Sequence, residues 1–136
     1  MLTLTTKSHY GIAALVELAR HYNNGLVQIK DIVEHQDIPK NYLEQLLNQL
    51  QKAGLVKSVR GIKGGYELSS PPDQILLLDI LETLEGKIEV NGEPRLKSLG
   101  SVYDHIVQII KKELAVSLAE ILEREQELHQ FPMFYI

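Results

Sequence analysis

The sequence predicts a mainly α fold: a winged helix-turn-helix with a small β-hairpin wing, extended by a long C-terminal dimerisation helix. Three observations carry that expectation. Between Ile38 and Tyr66 a leucine stripe at helical spacing runs into two short β-prone segments joined by a basic, glycine-rich turn. Two further helical patterns precede it, in the order that places a bracing helix directly before a groove-reading one. A second apolar stripe, from Leu99 to Leu114, is too long for the preceding domain to cover alone.

The first helix starts at Thr5 or Thr6, residues that favour the N-cap, and runs to about Tyr22 with Ile12, Leu15, Val16 and Ala19 inward. Asn23-Asn24-Gly25 ends it, and Leu26-Val27 is a β-prone pair able to lie beside the later hairpin. A brief second helix covers Gln28 to about Gln36, with Ile29, Ile32 and Val33 inward. Pro39 sits in the first turn of the third helix, where a missing N–H costs nothing. Leu43, Leu46, Leu47 and Leu50 form its buried stripe, while Asn41, Glu44, Gln45, Asn48 and Lys52 face outward. Gly54 supplies the left-handed residue that ends it. The segments Leu55 to Val59 and Tyr66 to Leu68 then make the hairpin.

Pro71-Pro72-Asp73 breaks the chain after the wing. A fourth helix, about Gln74 to Leu84, turns Leu77, Ile80, Leu81 and Leu84 to one face and packs on the first, and Glu85-Gly86 stops it. The fifth begins near Pro94 and runs to about Ala115. Its stripe of Leu99, Val102, Ile106 and Ile109 is widened by Tyr103, Ile110 and Leu114. Ser117-Leu118-Ala119-Glu120 forms a capping box for a last helix to about Leu128, ahead of an apolar end, Phe131-Pro132-Met133-Phe134-Tyr135-Ile136. The expected organisation is a winged helix-turn-helix over residues 1–85, a polar linker over 86–93, and the dimerisation helix, final helix and tail over 94–136. A helix-turn-helix reader uses two-fold symmetry, so a homodimer is expected. The alternative is a fifth helix folded back on its own domain.

Composition narrows the function. The 136 residues suit one compact domain with an appended oligomerisation element. No apolar run reaches membrane-spanning length, and the start MLTLTTKSHYG lacks a basic region and apolar core of signal-peptide type, so a cytoplasmic, membrane-free protein is expected. The absence of cysteine excludes disulfides, thiolate zinc sites, thiol nucleophiles and cysteine-held clusters in this chain. The net charge of −4 hides an asymmetry. Residues 1–70 carry 8 Lys/Arg against 6 Asp/Glu, and residues 71–136 carry 6 against 12. Polyanion binding needs a local basic face rather than a basic whole.

That face is the third helix with its wing. Asn and Gln side chains match the adenine edge, and Lys or Arg can reach guanine. A solvated helix face would explain the amides alone. The wing tips the balance, because Gly61, Gly64 and Gly65 let the tip turn tightly and bring backbone N–H groups to phosphate or a groove edge, with Arg60 and Lys63 adding charge. Walker spacing is missing, and a dinucleotide site would need the glycines between strand and helix. His9, His21, His35, His105 and His129 are scattered without ligand spacing, and no convergent catalytic set stands out. The chain is expected to be neither an enzyme nor a metalloprotein. A winged-helix module that binds protein instead of DNA remains the alternative.

The stretch from Tyr42 to Tyr66, YLEQLLNQLQKAGLVKSVRGIKGGY, resembles the central motif of the Rrf2 family of bacterial transcription regulators. Lys7-Ser8-His9-Tyr10-Gly11 and the segment LDILETLEG from Leu78 to Gly86 are similar too, so the resemblance spans nearly the whole length. It implies a homodimer on double-stranded DNA at a near-palindromic operator. Carried over, DNA contacts come from Thr6, Lys7 and Tyr10, from Pro39, Lys40, Asn41, Tyr42, Glu44 and Gln45, and from Arg60, Gly61, Lys63, Gly64, Gly65 and Tyr66. Glu44 can accept from cytosine N4. Many family members hold an iron–sulfur cluster through three cysteines after the fourth helix, but here that segment, GKIEVNGEPRLKSLG, has none, so no such cofactor is expected. Within the family the chain resembles most the cysteine-free repressors of cysteine metabolism, which implies repression and cysteine synthase as a partner. For Phe134, Tyr135 and Ile136, two roles are open: filling a groove on the dimer, or docking into that partner by the terminal carboxylate.

Overall fold

The computed structural model of the protein describes residues 3–130. Six α-helices and one hairpin follow in the order α1 (Thr6–Arg20), α2 (Ile29–Gln36), α3 (Lys40–Lys52), β1 (Val56–Val59), β2 (Gly65–Leu68), α4 (Leu77–Glu85), α5 (Lys97–Glu113) and α6 (Leu118–Gln130). This is a winged helix-turn-helix, mainly α, with a long C-terminal helix.

The core forms where the helical stripes meet. Leu43, Leu46, Leu47 and Leu50 of α3 are all buried, as are Leu15 and Leu18 of α1, Ile32 of α2, Ile80 and Leu84 of α4 and Leu118 of α6. Helix α1 is the central pillar, packed by α2, α3, α4 and α6. Gly11 faces the Leu84 side chain so closely that a Cβ would displace it, which explains a helix-weakening glycine inside α1.

Caps and breaks follow residue chemistry, with several departures from expectation, among them a start of α5 at Lys97, three residues after Pro94. Thr5 stands at the N-cap of α1, but no side-chain cap forms and its hydroxyl bonds elsewhere. Pro39 is the N-cap of α3 rather than its first helical residue; its carbonyl accepts from Leu43 N–H at 2.9 Å. Gly54, at φ +82°, ends α3 as expected, with Leu55 N–H donating to the Leu50 carbonyl at 3.0 Å in a Schellman closure. The β-prone pair Leu26-Val27 yields a single bridge, Val27 to Tyr66, because α2 begins two residues later. The fourth helix starts at Leu77, three residues after the expected Gln74. There Pro72–Gln74 is a short 3-10 turn, and the next residues are drawn out straight by distant backbone bonds. Leu118 N–H reaches the Ile75 carbonyl and Leu77 N–H reaches the Val116 carbonyl, both at 2.8 Å. The same bonds return the chain after α5, so α6 lies along α1. The Ser117 hydroxyl caps α6 by accepting from Glu120 N–H at 3.1 Å, while the Glu120 carboxylate turns to Arg124 at 2.7 Å.

Helix α5 contributes no buried residue. Leu99, Val102, Ile106 and Ile109 are 37–52% exposed along one stripe, and Tyr103 and Ile110 are half-buried beside it. Among the described residues one charged group lies in the core: Glu17 of α1, 2% exposed, accepts from Gln36 Nε2 at 2.6 Å and lies 3.4 Å from His35 Nδ1 and 3.6 Å from Arg20 Nη1. Its carboxylate ties the pillar to the last turn of α2, beside the left-handed Asp37 (φ 52°) that turns the chain toward α3. No helix among the described residues is long and apolar enough to cross a membrane.

Candidate nucleic-acid interface

Because the leucine stripe of α3 faces the core, its opposite face is left to water, and Lys40, Asn41, Glu44, Gln45 and Asn48 are exposed there. The wing rises beside that face. Strands β1 and β2 pair antiparallel from Val56–Leu68 to Val59–Gly65. Two backbone bonds between Val27 and Tyr66, of 2.9 and 2.8 Å, join the wing to the segment before α2. An open cleft results. Its walls are Lys40, Glu44, Asn48 and Gln51 of α3, Ser58 to Gly61 and Gly64 to Tyr66 of the wing, and Gln28, Ile29 and Lys30 at the start of α2. Lys30, Lys40 and Arg60 outnumber Glu44, so the cleft is locally basic in a chain of net negative charge.

The glycines of the tip have separate tasks. Gly64 N–H closes the turn on the Gly61 carbonyl at 3.0 Å, and a Cβ on Gly64 would run into the Val59 carbonyl oxygen. Gly61 holds φ +116°, a left-handed value that other residues rarely adopt. Gln28 Nε2 donates to the Ile62 carbonyl at 3.4 Å, bracing the tip from the base of α2.

Of the residues expected from the sequence, Lys40, Glu44, Arg60, Gly61, Gly64, Gly65 and Tyr66 converge on the cleft. Asn41, Gln45, Pro39 and Lys63 are exposed outside its lining, and Thr6 is exposed at the start of α1. Tyr10 and Tyr42 are half-buried and meet edge to face, centroids 5.6 Å apart, so they brace α1 against α3. Tyr66 packs against the core as well. Gln28, Lys30, Asn48, Gln51 and Ser58 were not among the expected contacts. For Lys30 a signal existed, since a helix N-terminus with a lysine in its first turn suits phosphate. Phe134, Tyr135 and Ile136 lie outside the described residues.

The start of α1 is anchored by Glu85, the last residue of α4. Its Oε1 accepts from Thr5 Oγ1 at 2.5 Å and from Ser8 Oγ at 2.8 Å. These two bonds, aided by the nearby Lys7 charge, hold the Glu85 carboxyl below its ordinary pKa.

A basic cleft between an amide-rich helix and a glycine-tipped wing defines a DNA-binding protein of the winged helix-turn-helix class. The family model described as an iron-dependent transcriptional regulator, Rrf2, matches residues 4–127, and the chain belongs to that family. The HTH-type transcriptional regulator CymR of Bacillus subtilis is 38% identical over 141 residues, covering 99% of this chain and all of that one. The solved structure of CymR, described as the global cysteine regulator of B. subtilis, superposes with a TM-score of 0.82 at 35% identity, over 91% of this chain and 98% of that one. The structure of IscR from T. potens follows at TM-score 0.76 and 39% identity, over 93% and 90%. The protein is thus an Rrf2-family DNA-binding transcriptional regulator related to CymR, and these relatives are named as regulators rather than enzymes.

The family description invokes iron, and the donor set here does not fit it. The chain has no cysteine, and among the described residues no three His, Asp or Glu side chains converge. The segment after α4 offers only Glu89, Asn91 and Glu93 as side-chain oxygen donors before Pro94.

A carboxylate with a depressed pKa stabilises the fold fully above its unfolded value, and that contribution disappears as pH falls through the folded value. Urea midpoints of the parent and Glu85→Gln are therefore expected to differ near neutrality and to converge as the solution is acidified through the carboxylate range. A gap that stays constant across that range would remove the Glu85 charge as its cause.

Proposed function

We infer that the protein is a cytoplasmic, homodimeric repressor that reads a pseudo-palindromic operator, with control linked to cysteine metabolism. The observation that carries this reading is the basic cleft between α3 and the wing. One sugar–phosphate strand of a duplex fits there, with α3 in the major groove on one side of it. Lys30, Lys40 and the wing backbone face the phosphates of that strand, and Glu44, Asn41, Gln45 and Asn48 present donors and acceptors to base edges. Thr6 and Lys7 extend the contact to the next phosphates, positioned by the Glu85 anchor.

The exposed stripe of α5 supports the dimer. Four aliphatic side chains at helical spacing on a helix with no buried residue call for a partner surface, and a second copy supplies a self-complementary one. Residues 1–85 would then form each reading head, 86–93 the connection, and 94–136 the pairing and tail segments. The link to cysteine metabolism rests on full-length similarity to CymR. On this reading cysteine synthase is the signalling partner, and the tail at Phe134, Tyr135 and Ile136 is its point of engagement.

Gel-shift titration against salt separates the contacts. Lys30→Ala and Lys40→Ala should each weaken binding on all sequences and lower the salt slope by about one. Arg60→Ala should cost ~1–3 kcal/mol if it reaches a base edge. Undiminished operator affinity after removing Lys30, Lys40 and Arg60 together would refute the cleft. Ile106→Glu should sediment as a folded monomer with reduced operator affinity, and an unchanged dimer would move the interface elsewhere. Deleting Ile136 should abolish capture of cysteine synthase in a pull-down, and full capture would discard the tail as the contact.

A further inference from the structure

Resting on the strand-seating reading of the cleft, we propose that Ile62 is an apolar probe that wedges into the minor groove beside each half-site and selects a deformable base step there. Ile62 is 97% exposed, and the next most exposed large aliphatic among the described residues is Leu96 at 64%. It is a central residue of the turn that Gly64 N–H closes on the Gly61 carbonyl. Such positions ordinarily hold Pro, Asp, Asn, Ser or Gly, and a β-branched side chain does nothing for the turn. Neither core packing nor turn formation accounts for it.

Its mount is rigid. Gly61 and Gly64 set the turn, the Val27–Tyr66 bonds hold the wing, and Gln28 holds the Ile62 carbonyl itself. An apolar group is thus presented at a fixed place relative to α3. In a duplex a single backbone strand separates the major groove from the adjoining minor groove. With α3 in the first and that strand in the cleft, the wing tip lies over the second. Arg60 and Lys63 flank Ile62 in sequence and suit the negative potential of that groove. Ile62 cannot pair with phosphate. Pressed against the sugar walls, it can pry apart a base step, as apolar wedges of minor-groove proteins do. The energy of doing so is lowest at pyrimidine–purine steps, so the residue confers sequence preference at a position without hydrogen-bonded readout.

The test is selection from a randomised duplex library by the full-length chain and its variants. The parent should enrich an inner motif read by α3 and, outside it, a TA or CA/TG step. Ile62→Ala should keep the inner motif, lose the outer step, bind the parent-selected duplex about tenfold more weakly, and bend it less in circularly permuted gel shifts. Ile62→Met should retain the outer step. Ile62→Lys should bind all duplexes somewhat more tightly through charge and still lose the outer step. If Ile62→Ala enriches the same outer step and bends DNA as the parent does, the wedge is refuted while the cleft reading stands. If the parent enriches no inner motif, the cleft reading fails first and the wedge with it.

Discussion

The two backbone hydrogen bonds between Val27 and Tyr66 set the geometry on which the interface depends. They tie β2 near its tip end to Val27, two residues before α2, and α2 in turn fixes α3 through the short turn at Asp37 and Ile38. The helix face and the wing are therefore two walls of one body rather than a helix and a loose finger. The backbone bridge needs a residue without a side chain beside it, since a Cβ on Gly65 would run into the Val27 carbonyl. Gln28 adds a second tie at the tip turn itself, so the distal part of the wing is held twice from the segment that opens α2.

Helix α1 integrates the remainder. Its apolar residues collect four helices, and two of its polar residues, with the N-cap Thr5, act as positioning devices. Glu17 reaches the end of α2 from inside the core, where an unpaired carboxylate would be costly and a paired one holds a specific register. Ser8 and Thr5 reach Glu85 at the other end and anchor the segment bearing Thr6 and Lys7. The pillar thus connects the interface to α4 and α6, the elements through which the exposed helix α5 is joined to the body.

Much of this organisation is legible in residue spacing. The stripe of α3 is buried where periodicity places it, as are Leu15, Val16 and Ala19 of α1 and Ile80, Leu81 and Leu84 of α4, while Ile12 and Leu77 are half-buried; Gly54 ends α3 in the left-handed conformation expected of it. The interface was legible in part. Amide and basic side chains on α3 and the wing follow from the leucine stripe, because a helix with one face in the core must turn its other face outward. Lys30 and Gln28 were not among the expected contacts, although the β-prone pair Leu26-Val27 and a lysine in the first turn of α2 were signals that the start of α2 borders the wing. Tyr10 and Tyr42 point the other way: as residue types they suit a DNA contact, but they meet each other at 5.6 Å and are largely engaged in packing.

What the sequence by itself determined is the set of elements and their faces, because helical and strand periods, proline, glycine and caps act over a few residues. It also determined that no cysteine-held cluster can form in this chain, since that is a matter of composition. The tertiary structure alone decided the late start of α4, the burial of Glu17 and the cleft that joins α2, α3 and the wing. Each of these depends on bonds between residues far apart in the chain, such as Ile75 with Leu118, Glu17 with Gln36 and Val27 with Tyr66. Apart from the β-prone pair Leu26-Val27, which foreshadows the last of these, local pattern carries no record of such pairings, which arise when packing brings distant polar groups together and burial obliges them to find partners.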